Sequence, residues 1–349
     1  MPDRFSAVQA IAAGSILLVP SLAASPALAQ PADQRPLVTH IDGNWIGEAI
    51  SYGPFRDGQG PDGASPSDAE LLEDLQILAE RWRLIRMYGS VGSTEAVCRL
   101  IVEHELPLQV MVGAWIDAEF VRNDNGSFGD QIPEVAAANR AEVETAIRLA
   151  NLFPTVVHSI NVGNESQVFW SWHRSPRETL IGYLRQAREG TTVPITTCDD
   201  YNFWNRPESQ AVADEVDFIG WHAYPMWNGQ TLADSMSWIR EKLAEVHQMH
   251  PDHPIVHAEV GWATRKHTEG EQATLVVGEP GEKQQELFYR TYTAWANENG
   301  LPHFYFSAFD ENWKGGPHPD EIEKHWGLYR ADRTPKLAVQ RTPAEGRGR

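Results

Sequence analysis

The sequence predicts a single-domain (β/α)8 (TIM) barrel, and three observations carry that expectation. Eight short apolar segments alternate with longer amphipathic ones from about Leu37 to Pro335. No linker-like stretch interrupts them. No phosphate-type glycine turn follows the first strand, where an open doubly wound sheet usually carries one.

The strands are read at Trp45–Tyr52, Leu84–Tyr88, Leu108–Trp115, Val156–Val162, Ile195–Cys198, Phe218–Tyr224, Ile255–Val260 and His303–Phe309. Between them lie helical patterns. Ser65-Pro66-Ser67-Asp68 supplies a cap, a first-turn proline and an early acid before Leu71, Leu72, Leu75 and Leu78. From Glu282 to Glu298 one face carries Phe288, Thr291, Tyr292 and Trp295, and Gly300 stops the helix.

Composition narrows the function. Of 349 residues, 42% are hydrophobic and 13 are Trp, enough for a large core and for flat faces that stack on sugar rings. A net charge of −19 argues against nucleic acid and anionic membrane surfaces as partners. Cys98 and Cys198, the only cysteines, are expected to be buried free thiols. No Cys/His metal spacing, Gly-rich phosphate loop or G-x-S-x-G occurs, so neither a cofactor nor a metal is expected.

Chemistry in a barrel belongs at the carboxyl ends of strands. The second strand ends Arg86-Met87-Tyr88, and period two puts Leu84, Arg86 and Tyr88 on the interior face. A buried guanidinium needs an acidic partner. Arg86 either pairs with Glu259 or a neighbouring carboxylate, or it braces the barrel floor. The fourth strand runs into Asn164-Glu165 and the seventh ends Ala258-Glu259. Two glutamates on opposite walls of one barrel are what glycosidic cleavage requires: one acid, and one nucleophile or base. On the sixth strand His222 and Tyr224 share a face, and either reaches a carboxylate. Trp115, Trp170, Trp172, Trp204, Trp227 and Trp313 are candidates for a sugar-stacking floor.

These motifs resemble glycoside hydrolase family 17, in particular its bacterial branch of β-1,3-glucanases and glucanosyltransferases. Ile50-Ser51-Tyr52-Gly53-Pro54-Phe55-Arg56-Asp57-Gly58-Gln59 is similar to that family's first strand and loop, and Ile85-Arg86-Met87-Tyr88 to its second strand. Val162-Gly163-Asn164-Glu165 is similar to its acid/base motif and Glu259-Val260-Gly261-Trp262 to its nucleophile motif. Phe309-Asp310-Glu311-Asn312-Trp313-Lys314 resembles its eighth-strand end. The chain departs from the family pattern at Val260, Ala263, Thr264 and Ser166.

The resemblance implies a retaining hydrolase of β-1,3-glucan, with Glu165 as acid/base and Glu259 as nucleophile. Asn164 is expected to hold the substrate 2-OH, and Tyr224 to bond Glu259. Arg86, Tyr88, His222, Trp115, Trp204, Trp227, Trp262, Glu311, Trp313 and Lys314 are expected to bind substrate. Positive neighbours should keep Glu259 ionised, and a less polar setting should favour protonated Glu165. Glucanosyl transfer on the same residues is the near alternative. A β-1,4-glucanase or mannanase, and a glucan-binding barrel without catalysis, are the others. The partner is an oligo- or polysaccharide, and the protein is expected to be a monomer.

The domain is placed at 30–339, with a disordered tail at 340–349. Residues 1–29 read as a cleavable signal peptide: Arg4, then the apolar run Ile11–Ala24, then Ala27-Leu28-Ala29. That implies a periplasmic or secreted protein without a membrane anchor. Cleavage should leave a chain beginning at Gln30. Mass spectrometry of protein from the periplasm or medium checks this, and an intact Met1 on cytoplasmic protein contradicts it.

Overall fold

The computed structural model describes residues 34–41 and 43–340. The signal segment and residues 341–349 of the tail lie outside the described residues. Eight parallel strands close into a barrel: β1 (Glu48–Ser51), β2 (Leu84–Arg86), β3 (Gln109–Ala114), β4 (Val157–Asn164), β5 (Ile195–Asp200), β6 (Ile219–His222), β7 (Ile255–Val260) and β8 (His303–Tyr305). Each pairs with its sequence neighbours, and β8 closes on β1. Helices at Asp68–Ala79, Thr94–Glu103, Pro133–Leu152, Arg177–Gly190, Leu232–Met249 and Glu282–Glu298 form most of the outer layer.

Strand alternation divides the core in two. Ala49, Leu84, Met111, Phe218, Val256 and Phe304 form one buried cluster with Ile46. Their chain neighbours Ile50, Ile85, Val110, Val112 and Ile219 belong to the larger cluster beneath the helices. With side chains alternating along a strand, the first set fills the barrel's lower interior and the second packs the helix layer. Toward the strand ends the interior turns polar, with Ser51, Arg86, Asn161, Asp199, His222 and Glu259 all buried. The site therefore rests on an apolar plug.

All eight strands were foreseen, with shifted ends. Trp45 leaves the first strand for an antiparallel hairpin, His40–Ile41 with Asn44–Trp45, and its indole N–H donates to Asn297 Oδ1 at 2.9 Å. The eighth strand ends at Tyr305, short of Phe309. Ser67 caps the first helix through a capping box with Glu70, so Pro66 precedes the helix instead of entering its first turn. A second hairpin, Phe120–Arg122 with Phe128–Gln131, follows β3 and was not anticipated. Both cysteines are buried and free. No described helix is long and apolar enough to cross a membrane.

One polar contact fastens the open end of the fold. Asp74, fully buried on the first helix, accepts Arg333 Nε at 2.7 Å and Arg333 Nη2 at 2.6 Å. It also accepts Arg56 at 2.9 Å and Tyr52 Oη at 3.1 Å. The loop after β1, the first helix and the C-terminal segment thus meet on one carboxylate. Removing it leaves a buried guanidinium unpaired. We predict that Asp74→Ala costs about 3–5 kcal/mol of stability, read from denaturant unfolding; a loss under about 1 kcal/mol, the size typical of surface pairs, would contradict this account.

Candidate active site

The two glutamates reach the same space by different backbone routes. On β7, Glu259 stays within the strand and pairs with His222 of β6, just past a register shift at Trp221/His222. At β4 the ladder shifts between Asn161 and Asn164, Gly163 takes φ 76°, and Glu165 itself takes φ 47°. A glutamate in the left-handed region is strained, and such strain concentrates at working sites. Here it is held by the Glu165 N–H bond to Cys198 O at 2.8 Å. Glycine at 163 is required, because a Cβ there would need positive φ and sit 3.1 Å from Ser166 Oγ.

Glu259 is enclosed by donors. Arg86 Nη1 donates to its Oε1 at 2.7 Å, Tyr88 Oη to the same oxygen at 2.8 Å, and Tyr224 Oη to Oε2 at 2.5 Å. Burial alone would favour the neutral acid, but His222, Arg86, Tyr224 and Tyr88 outweigh it and lower the carboxyl to about 2. Burial beside Glu259 pushes both phenols well above the usual tyrosine range, so they remain donors. Arg86 is fully buried. Its Nη2 donates to Asn164 Oδ1 at 2.6 Å and its Nη1 to Ala258 O at 3.0 Å. A guanidinium offers only donors. It therefore fixes which end of the Asn164 amide it meets and turns that amide's NH2 away from itself.

Glu165 is more open, with its side chain 25% exposed against 6% for Glu259. His222, completely buried, stands between them. Its Nδ1 lies 2.9 Å from Glu165 Oε1 and its Nε2 lies 3.6 Å from Glu259 Oε1. Burial opposes the imidazolium, yet Glu259, Cys198 and Glu165 together raise His222 to about 10. One atom from each of Glu165, His222 and Glu259 falls within 4.8 Å of the others. Such a donor set has the spacing of a metal site, but a cation there would face the buried Arg86 guanidinium, which already bonds Glu259. The arrangement suits a working carboxylate pair instead.

The less polar setting expected for Glu165 is not what its neighbours provide. β5 ends in Asp199 and Asp200, both buried and both affected by the charge of Glu165. Burial, reinforced by Glu165, raises Asp199 to about 8 and Asp200 to about 7. The sequence reading missed both aspartates, although a doubled acid closing an apolar strand was visible. His173 was missed as well: its Nε2 lies 2.6 Å from Asn164 O, and its ring packs 4.6 Å from Trp115.

The other anticipated residues divide. Glu311 binds Lys314 at 2.6 Å and accepts the Trp313 indole at 3.0 Å; Lys314 also lies 5.9 Å from the Tyr88 ring centre. Trp227 is half-buried and donates to Glu323, which burial raises to about 7 against the pull of Lys314 and Trp227. Trp115 is half-buried; Trp170, Trp172 and Trp313 are exposed. Two expectations fail. Trp204 and Trp262 are completely buried, with indoles bonded to Gly220 O and Glu279 O, so they pack the core and offer no face to a sugar.

A barrel with this pair of carboxylates at its C-terminal mouth defines a glycosidase. Residues 49–327 match the BtgE/BtgC glycoside hydrolase domain, and the chain belongs to that family. It is 24% identical over 289 residues to a glucan 1,3-beta-glucosidase of Arthroderma benhamiae, covering 79% of this chain and 86% of that protein. Its fold is similar to that of an endo-laminarinase from Formosa (TM-score 0.72, 24% identity, 84% of this chain and 86% of the other). It is also similar to a glycoside hydrolase family 17 beta-1,3-glucanosyltransferase from Rhizomucor miehei (TM-score 0.65, 20% identity, 84% and 96%). The resemblance drawn from the motifs is borne out at the level of the family; nothing here singles out its bacterial branch.

The Arg86 fork generates a test. Lysine keeps the charge but cannot bond Glu259, Ala258 and Asn164 together. Arg86→Lys should lower kcat. Glu259 is ionised above about pH 2, and weakening its donors raises the pH at which it gains a proton. The acid limb of the pH–activity profile should therefore move upward. An unmoved limb with a lowered melting temperature would make Arg86 a brace only.

Proposed function

We propose that the protein hydrolyses β-1,3-glucan with retention of configuration, Glu259 acting as nucleophile and Glu165 as acid/base. The observation that carries this reading is the approach of the two carboxylates to within 4.8 Å, with His222 between them. Retaining enzymes hold their carboxyl groups about 5–5.5 Å apart, whereas inverting ones need about 6.5–9.5 Å for a water. The linkage is drawn from relatives whose names refer to 1,3-β-glucan and laminarin.

In the first step Glu165 gives its proton to the glycosidic oxygen while a Glu259 oxygen attacks the anomeric carbon. The glycosidic bond breaks and a glycosyl ester forms. In the second step Glu165 takes a proton from water, whose oxygen displaces Glu259. Two inversions leave the configuration unchanged. Asn164, its carbonyl end taken by Arg86, presents its NH2 to the sugar 2-OH. Trp115, Trp227 and Trp313, with Tyr88, Glu311 and Lys314, line the path of the chain. Export to the periplasm or medium belongs to the same proposal, supported by the amino-terminal motif.

Two variants test the roles. Glu259→Gly should abolish turnover of laminarin, and azide should then rescue cleavage of an activated glucoside with inverted product. Glu165→Ala should lose about 10²- to 10⁴-fold on laminarin and far less on a substrate whose leaving group needs no proton. Full activity of either variant on laminarin overturns its assignment. Sizing the products from laminarin, carboxymethyl cellulose and mannan tests the linkage, and products longer than the starting chain would shift the reading to glucanosyl transfer.

A further inference from the structure

Beside the acid/base, at the same end of the barrel, lies a second cavity of about 360 Å³ that the reaction above does not use. Three segments build it: the one that follows Glu165, the one that follows β5, and Phe128 of the hairpin after β3. Its volume falls within the range of about 300–1,000 Å³ found for small-ligand sites. Three guanidinium groups line it, from Arg174, Arg177 and Arg206. In a chain of net charge −19 this is a local reversal of sign.

The three arginines are not equally committed. Arg177 donates to Glu208 O at 2.8 Å and lies 3.8 Å from Glu178. Glu178 and Glu208 are exposed and are the acids of the lining. Among the described residues, no carboxylate comes within 4.0 Å of the Arg174 or the Arg206 guanidinium. Arg174 Nε is buried and has no hydrogen-bond partner, a condition that costs free energy unless a ligand relieves it. Arg174 also lies 5.9 Å from the Phe128 ring centre, on the unanticipated hairpin. Phe128, Phe169 and Phe203 give the cavity apolar walls, and Phe169 is largely exposed at its edge.

The cavity is tied firmly to the catalytic end of β4. Gln167, two residues past Glu165, donates its backbone N–H to Asp199 at 2.8 Å. Its side chain donates to Ser166 O at 3.0 Å and Ser175 O at 3.2 Å. A ligand here would sit against the loop that carries Glu165.

We propose that this cavity is a subsite for an anionic group, a carboxylate or phosphate-like substituent, carried on the glucan. The proposal rests on the β-1,3-glucanase reading for its substrate backbone. Arg174 and Arg206 provide the charge-assisted donors, and the phenylalanines pack against the sugar that bears the anion. The anion is attached to a sugar because the walls that flank the guanidiniums are aromatic and the lining includes Gln167, two residues past Glu165.

The test compares two substrates, neutral laminarin and a carboxymethylated linear β-1,3-glucan of matched length, using the full chain, Arg174→Ala and Arg206→Ala. Each variant should raise KM for the carboxymethylated glucan about tenfold, the value of one charge-assisted hydrogen bond. On laminarin KM and kcat should stay within about twofold of the parent, since neither arginine touches the catalytic carboxylates. Added salt should erode the parent's affinity for the charged glucan only. Equal losses on both substrates, or no loss on the charged one, overturn the proposal. If the parent cleaves neither glucan, the glucanase reading fails separately. Native electrophoresis through gels containing each polymer then decides the subsite: retardation by the carboxymethylated polymer that Arg174→Ala abolishes supports it, and equal mobility of parent and variant overturns it.

Discussion

A guanidinium that water cannot reach needs partners within the protein, and the terminal nitrogens of Arg86 find them on two other strands. Its two terminal nitrogens meet Glu259 and Ala258 on β7 and Asn164 on β4, from a position on β2. The contact joins opposite walls of the barrel above its apolar plug. Breaking a buried pair by removing one partner leaves a charge without compensation, typically at a cost of about 3–5 kcal/mol. The position of Glu259 therefore follows from packing rules that apply before any substrate arrives. The same bond that satisfies Arg86 orients Asn164, so the two residues proposed to meet the sugar are placed by one side chain.

Around that bond the site separates its charges. Glu259 faces Arg86, two phenols and His222, all of which favour the carboxylate. Glu165 shares its neighbourhood with Asp199 and Asp200, whose raised proton affinities reflect burial and its own charge. The two glutamates share His222 but otherwise keep different neighbours, donors about Glu259 and carboxyl groups about Glu165. The left-handed backbone at Glu165 belongs to this division. A straight continuation of β4 would alternate Glu165 with Asn164 across the barrel wall; the kink at Gly163 carries both into the cleft.

Strands were legible in the sequence because burial on both faces leaves continuous apolar runs, and the inward aim of Arg86 and Tyr88 followed from alternation alone. The glutamates were legible because a charge directly after such a run is rare. Tryptophan roles were not. Trp204 and Trp262 sit near strand ends like Trp115 and Trp313, and only the packing of the helix layer shows that the first two are interior. Long-range polar contacts were invisible for a related reason. Asp74 and Arg333 are separated by 259 positions, and neither carries a local pattern that predicts the other. The hairpin at Phe120–Gln131 escaped because its strands are short and half-exposed, with no apolar alternation to mark them.

His222 shows how these buried charges stay compatible through the proposed cycle. Before reaction the imidazolium faces the Glu259 carboxylate and the Glu165 acid, and Glu259 contributes most to its high proton affinity. When Glu259 becomes an ester its negative charge is gone. Arg86 then still holds Asn164 Oδ1 and Ala258 O, so the guanidinium is not left bare. His222 still holds Glu165 through Nδ1. The negative charge thus moves from Glu259 to Glu165, which has given up its proton; each buried cation keeps an acceptor, and Glu165 becomes the main counterweight to His222. That Coulombic hold keeps Glu165 aimed into the cleft while water replaces the departed chain. A barrel with only Glu165 and Glu259 in its mouth would have to reorganise between the two steps; here the fixed neighbours make that unnecessary.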